Sequence, residues 1–377
     1  MGIIKKASIP QYWNSTLSSQ ISKWFKTVIP RNRFQNIIKY LHVADYKRNV
    51  ARQHPAYDPA SRFSPLLNYM NRQFLRYIIP NRNLCVDETL ISCKGHSVMR
   101  QYIPSKAAKY GIKFWVLCEA ATGYILQMHI YRGKHFDPKP NGQLQGTNVV
   151  YDLLRNTNLL NKGYHVICDS FFSSLHLANK LLEARTYVTG TLRKNRPMPQ
   201  TIKNANPAPG SAIYMRKGQV VCLAYRGEED KTPVRLLSTL LPAQELPTHR
   251  PRIIQQYNKH MGAVDLDDAI LSAYSGEHRK KKVWQKVIFH LFHRIMLNSY
   301  FLYKRNTSDN PPMSHLKFIQ MVIESLANVC TQIPRARQRP HRLQLDILPG
   351  RKERDCCVCS SRSQGVRRRS RTICSHL

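Results

Sequence analysis

Apolar residues recur at helical spacing through Ile21, Trp24, Phe25 and Val28, and again through Phe34, Ile37, Ile38 and Leu41, so residues 8–80 read as mainly helical. Pro30 separates these two segments, and Arg31, Arg33 and Arg48 give them a basic side. The stretch 44–63, with Pro55 and Pro59, reads as a loop, and a further helix is predicted from Pro65 to about Tyr77. The pattern changes at residue 83. Leu84, Cys85 and Val86 form a short apolar run that ends in Asp87-Glu88-Thr89. Gly111 to Cys118 reads as a strand, Ala121-Thr122-Gly123 as a turn, and Tyr124 to Tyr131 as the hairpin partner. Residues 147–160 read as a helix, Tyr164 to Cys168 as a buried strand ending in Asp169, and Ser173 to Leu182 as another helix. Strands followed by helices, with carboxylates at strand ends, predict an α/β core.

Residues 193–250 are rich in proline and basic residues, with strand-like runs from Val220 to Tyr225 and from Val234 to Ser238, and read as a small β-rich insertion. From Tyr257 the chain reads as helical. Val283, Val287, Leu291 and Ile295 fall on one face of a long helix running to about Tyr303, and Ser314 to Cys330 forms a last helix before a Pro- and Arg-rich tail. The divisions expected are therefore a helical region 1–82, a core 83–192, the insertion 193–255, a helical end of the core 256–305, a second helical region 306–349 and a Cys-rich basic tail 350–377. No internal repeat is visible.

Charge changes the picture most. The 377 residues carry 59 Lys plus Arg against 22 Asp plus Glu, a net charge of +37. That much self-repulsion in a chain that is 42% hydrophobic, and so able to build a core, points to a polyanionic partner rather than a small neutral metabolite. No run of 18 apolar residues is present, so no membrane-spanning helix is expected, and the N-terminus lacks the apolar stretch and cleavage site of a secretory signal. Six of the ten cysteines stand singly in apolar segments and four crowd the last 22 residues, which suits a reducing compartment and metal-binding thiols better than a disulfide framework.

With acidic residues this scarce, three stand out. Asp87 and Asp169 end short apolar strands, and Asp265 opens a helix in Gly262-Ala-Val-Asp265-Leu-Asp-Asp268, with Asp268 three residues further on the same face. A ribonuclease-H-like core places carboxylates in this manner: one on the first strand, one after a later strand, one on a helix. Phosphodiester chemistry accounts for the residue type. Two hard divalent cations about 4 Å apart stabilise the attacking and leaving oxygens, and magnesium is held by a few carboxylate oxygens together with water and substrate phosphate. An aspartate at a strand end also serves as a turn or helix cap, and Asp169-Ser170 is open to that reading.

The sequence resembles the piggyBac family of DDE transposases. The matching segments, in family order, are Val86-Asp87-Glu88, Arg100-Gln-Tyr-Ile-Pro-Ser-Lys106 with Lys109-Tyr-Gly-Ile-Lys113, and Cys168-Asp169-Ser-Phe-Phe-Ser-Ser174. Gly190-Thr-Leu-Arg-Lys194 and Tyr257-Asn-Lys-His-Met-Gly-Ala-Val-Asp265 with Asp268 follow, then Trp284. Upstream, Pro30-Arg-Asn-Arg-Phe34 and Tyr40-Leu-His42 also match, so the resemblance spans roughly residues 10–330. It implies a ribonuclease-H-like catalytic core with a β-rich insertion, flanked by a mainly helical dimerisation and DNA-binding region. Asp87, Asp169 and Asp265 would be the catalytic triad and, with Asp268, would hold two Mg2+ or Mn2+ ions. The implied partners are double-stranded DNA, as transposon ends and TTAA targets, and a second copy of the chain, with no membrane. Trp284 would contact DNA near the site, although a lone tryptophan on an apolar helix is also a core residue.

The basic runs fit the same picture. Arg279, Lys280, Lys281 and Lys282 follow the third aspartate, and Lys106, Lys109 and Lys113 flank the hairpin; both sets are candidates for phosphate contacts, which add affinity without sequence information. Arg367-Arg-Arg-Ser-Arg371 reads as a nuclear-localisation signal, a DNA arm or a solvated tail, and a nuclear protein is expected. Two departures from the family stand out. The chain begins almost at the helical region, and its Cys-rich end is short: Cys356, Cys359, Cys374 and His376 are a candidate four-ligand Zn2+ set in place of a longer module. The alternative function is a catalytically inactive, transposon-derived DNA- or chromatin-binding protein.

Overall fold

In a computed structural model, residues 2–332 are described apart from positions 15, 17, 46–49, 105, 107, 139–143, 246–249, 275 and 277–281; beyond them only 345–347, 354–355, 369–370 and 372–374 are described. The chain divides into two compact units, Met1–Gln320 and Met321–Leu377.

The first unit opens with a short 3-10 helix, Ile9–Trp13, and the helices α1 (Lys23–Val28) and α2 (Arg31–Tyr40). Tyr12, Trp13 and Phe25 form a small core of their own, with the Tyr12 and Phe25 rings 4.7 Å apart. Helix α3 (Ser64–Arg76) starts at Pro65 in its first turn, where a missing N–H costs nothing. It packs on the central sheet through Leu67, Met70 and Phe74.

That sheet begins with β1 (Asn83–Ser92), β2 (Arg100–Tyr102), β3 (Tyr110–Glu119) and β4 (Ile125–Ile130). β1 lies antiparallel to β3 over nine residue pairs, from Leu84↔Glu119 to Ser92↔Gly111. Both β2 and β4 pair with the other edge of β3. After α4 (Gln145–Asn156), strand β5 (His165–Cys168) joins β1 in parallel, and after α5 (Leu175–Glu183) strand β6 (Tyr187–Thr191) joins β5 in parallel. Leaving aside the three-residue β2 at the edge of β3, the three antiparallel strands β1, β3 and β4 followed by two parallel ones, each reached through a helix, are the ribonuclease-H-like order. A buried polar chain fixes the register: His165 sits between the Asn83 amide oxygen (3.0 Å) and the Thr189 hydroxyl (2.8 Å), one from each neighbouring strand.

The insertion, α6 (Gln200–Lys203), β7 (Ala212–Lys217), β8 (Val220–Tyr225) and β9 (Val234–Ser238), extends the sheet. β9 pairs antiparallel with β6, and β8 and β7 follow in turn. Helices α7 (Arg252–Met261), α8 (Ala263–Ala273) and α9 (Val283–Asn306) then return to the core, and α10 (His315–Gln332) follows. α7 begins five residues before Tyr257, because Pro251 has the extended backbone of an N-cap and starts the helix there. In the second unit, Leu345–Ile347 pairs with Thr372–Cys374 and Arg354–Asp355 with Arg369–Ser370, both antiparallel. Among the described residues no helix is long and apolar enough to cross a membrane.

Candidate active site

β1 alternates its side chains between two faces of the sheet. Cys85 donates from Sγ to the Met261 carbonyl where α7 gives way to α8, and Thr89 donates to Asp268 on α8. Asp87 lies between them at the same period and so faces the same helices. The sequence reading ends the first strand at this aspartate; instead Asp87 stands mid-strand, because pairing with β3 continues to Ser92. Asp87 is 7% exposed, and its Oδ1 accepts the neighbouring Glu88 N–H (2.8 Å). Burial pushes its pKa up to about 8; Lys106 opposes the shift, and Glu88 and Asp169 add to it.

Asp169 arrives by register. Val86 pairs with Cys168 across the parallel β1–β5 ladder, so Asp87 and Asp169 are the next residues along adjacent strands. The Asp169 Oδ1 accepts the Phe171 N–H (2.9 Å), making the turn that its residue type also suggests, while the cap of α5 is Ser174, which accepts from Leu177 N. Gly190 permits this turn to pack: a Cβ there would meet Ser173 Oγ at 2.0 Å and the Cys168 carbonyl at 2.7 Å.

Asp265 occupies the first turn of α8 and is 64% exposed. Lys106 Nζ bonds its Oδ1 at 2.9 Å. Burial lowers the Lys106 pKa, but Asp87, Asp265 and Glu88 together outweigh it and leave it raised. Lys113 lies 3.9 Å from Glu88 Oε2 and 4.5 Å from the Phe171 ring centroid, and burial lowers its pKa against the pull of Glu88, Asp169 and Asp87. Asp87, Glu88, Asp169 and Asp265 thus share one electrostatic neighbourhood with two ammonium groups, and Glu88 Oε2 is buried without a hydrogen-bond partner. Asp87, Asp169 and Asp265 are hard oxygen donors of the kind a divalent cation takes, while Glu88 alternates to the other face of β1 beside Lys113. As they stand, no three His, Cys, Asp or Glu side chains among the described residues are grouped to hold one; the nearest cation to Asp265 is Lys106.

Asp268, expected among the metal ligands, is engaged by the chain's own side chains. Its carboxylate accepts from Thr89 Oγ1 (2.7 and 2.9 Å) and from the Arg294 guanidinium, so it clasps α8 to β1 and α9. Arg294 is wholly buried. It also bonds His290 (3.1 Å) and Thr89 (3.0 Å) and lies 3.9 Å from the wholly buried Asp267. Both Asp267 oxygens lack a hydrogen-bond partner, and burial raises its pKa well above the carboxylate range despite Arg294.

A family model described as Transposase IS4 matches residues 1–300. The chain belongs to the piggyBac-type DDE transposase family. It is 27% identical over 317 residues to PiggyBac transposable element-derived protein 3 of Homo sapiens, covering 78% of this chain and 51% of that protein. It is 24% identical over 362 residues to PiggyBac transposable element-derived protein 2 of Homo sapiens, covering 88% and 60%. The chain therefore spans about half to three-fifths of the length of these relatives. Its fold matches the structure titled "Cryo-EM structure of piggyBac transposase synaptic complex with hairpin DNA" with a TM-score of 0.76 at 24% identity, over 85% of this chain and 68% of that one.

Several neighbours of this transposase-family site are not singled out in the sequence reading. Arg193 donates to Ser170 Oγ (3.0 Å) and Arg196 to the Phe171 carbonyl (3.3 Å), which brings two guanidinium groups to the Asp169 turn. Gly190-Thr-Leu-Arg-Lys194 was the available signal for the first; none marks Arg196. Of the basic candidates, Lys109 is exposed, and Lys282 stands at the N-cap position of α9 without a side-chain cap, its Nζ 5.8 Å from the Trp284 ring. Trp284 is partly buried against the core, with its indole N–H unpartnered. Arg279, Lys280, Lys281, Cys356, Cys359 and His376 lie outside the described residues, as does the side chain of Cys374.

Proposed function

We propose that this chain cleaves DNA and transfers strands at TTAA sites, using a divalent-cation site formed by Asp87, Asp169 and Asp265. The observation that carries this reading is the adjacency of Asp87 and Asp169 at the β1–β5 register, with Lys106 linking that pair electrostatically to Asp265. Two Mg2+ or Mn2+ ions bound there would stabilise charge on the attacking and leaving oxygens of a phosphodiester. The chain's own residues do the rest. The parallel ladder holds two carboxylates side by side, the Phe171 N–H orients Asp169, and Lys106 and Lys113 supply positive charge where phosphate must enter. Lys109, Lys282 and Trp284, with Arg279, Lys280 and Lys281, serve the DNA contacts, and the protein works in the nucleus as a homodimer.

A second reading has its own support. Lys106 neutralises Asp265, and Arg294 with Thr89 engages Asp268, so the chain's own cations already satisfy two of the four acids. That arrangement favours a DNA-binding protein that catalyses nothing. The readings part on incubation with a TTAA-flanked duplex end and Mg2+ or Mn2+. Asp169→Asn keeps the oxygen that caps Phe171 and removes the charge. Nicking by the parent chain that falls on the order of 10³-fold in this variant, with an unchanged melting temperature, supports the enzyme. Binding without nicking under either metal supports the second reading.

A further inference from the structure

Away from the carboxylates, two cavities adjoin. The first, of about 440 Å3, lies between the 52–62 loop, the β1–β2 connection and the start of α9, and Arg52, Arg62, His96 and Arg100 line it together with Trp284. The second, of about 320 Å3, adds Arg132, Lys134 and His135. Both are lined by Arg52, Tyr57 and Val98, which makes them one groove; among the described residues no acid lines either, and the nearby Asp58 and Asp137 engage Arg132.

The groove is a built feature. Arg132 is fixed in its wall by Asp137 (2.7 Å), and the Tyr57 and Phe136 rings meet edge to face at 6.0 Å. Gly133, at φ 101°, brings the chain so close that a Cβ would stand 2.7 Å from the Val98 carbonyl. Arg52, Arg62 and Lys134 are exposed and have no acidic partner among the described residues. Concentrating unpaired cations along a concave surface costs self-repulsion that a polyanion relieves.

The groove also stands in a definite relation to the carboxylates. Arg100 pairs with Ile112, which pairs with Ile91, so Arg100 is level with a point four residues along β1 from Asp87. At about 3.3 Å per residue that is roughly 13 Å along the strands, and two interstrand spacings of about 4.8 Å each add a lateral offset of roughly 10 Å, so the backbone separation is about 16 Å, or about five base-pair steps of duplex at 3.4 Å each.

We propose that this groove carries the phosphodiester backbone of the DNA that flanks the carboxylate site, with Arg52, Arg62 and Lys134 as its phosphate contacts. The inference rests on the reading of the chain as a DNA-processing protein and extends its DNA contacts from Trp284, at one end of the groove, to Arg52, Arg62 and Lys134. Its test is fluorescence anisotropy of the full chain with a labelled duplex of about 30 base pairs across a salt series. Each phosphate contact contributes about 0.9 to the slope of log affinity against log salt. Arg52→Ser/Arg62→Ser/Lys134→Ser should therefore lower that slope by about 2–3. Lys162→Ser/Lys217→Ser/Lys231→Ser, exposed cations elsewhere on the molecule, should lower it by less than about 1. The single variants Arg52→Ser and Lys134→Ser, each expected to remove about 0.9, give the same reading should the triple variant fail to fold. Unchanged slope and affinity in the groove variants, or an equal drop in the control triple, overturns the groove. If that happens while the parent chain still nicks DNA in an Asp169-dependent way, only the groove falls. A parent chain that binds no duplex at any salt overturns both.

Discussion

Asp87 shows how one residue carries both the cost and the purpose of the site. A carboxylate mid-strand, with a backbone N–H for a partner, is in poor surroundings for a charge, and burial drives its pKa to about 8. The folded protein therefore holds this proton more tightly than the unfolded chain does. Stability from this group is fullest below the ordinary value of 3.8 and is lost as pH rises towards 8. Asp87→Asn removes that dependence. Unfolding free energies measured for both proteins from pH 4 to 8 in metal-free buffer should diverge, the variant gaining at least about 1.4 kcal/mol on the parent, the value of one pKa unit. Parallel curves would show that Asp87 is better solvated than its burial implies. Asp87 and Asp169 stood out in the sequence as candidates, since acidic residues are scarce and these two follow apolar runs, and the β1–β5 register brings them side by side. What was not legible was that β1 continues past Asp87, because pairing with β3, rather than the local run of Leu84, Cys85 and Val86, sets the strand's end.

At the scale of elements, the clasp between α8, α9 and β1 decides where Asp265 stands. Arg294 reaches Asp268 from 26 residues away in sequence, and Thr89 completes the bond from the sheet. Spacing alone puts Asp265 and Asp268 together on one face of α8, and helical periodicity holds no information about a guanidinium on the next helix. Truncating one partner of a buried ion pair leaves the other charge unpaired. Arg294→Met should therefore cost about 3–5 kcal/mol in urea denaturation. Adding Asp267→Leu, which removes the second buried carboxylate, should restore a substantial part of that loss. A single-variant cost below about 1 kcal/mol would mean that the clasp does not hold α8. α7 is a different case: it starts at Arg252 behind Pro251, and buried Ile253 and Ile254 carry its apolar face ahead of Tyr257, a local signal that a start at Tyr257 passes over.

Over the whole molecule, β1, β3, β4 and β5 with α4 and α5 follow apolar runs and helical period that the sequence shows, whereas β2, three residues long, and β6, defined by its pairing with β5 and β9, were not read from it. The insertion was recognised as β-rich, but its continuation of the central sheet through β6 and β9 rests on long-range pairing that no local pattern encodes. The net charge of +37 points to a polyanion, while the groove that gathers Arg52, Arg62 and Lys134 depends on loops distant in sequence. The central claim is that Asp87, Asp169 and Asp265 form one divalent-cation site. The most direct measurement is an anomalous-difference map from a crystal of the full chain soaked in Mn2+. The account predicts density with oxygens of all three aspartates at about 2.1 Å, and Lys106 Nζ withdrawn from Asp265. A map without a peak among those carboxylates, with the Lys106–Asp265 bond intact at saturating Mn2+, would contradict it.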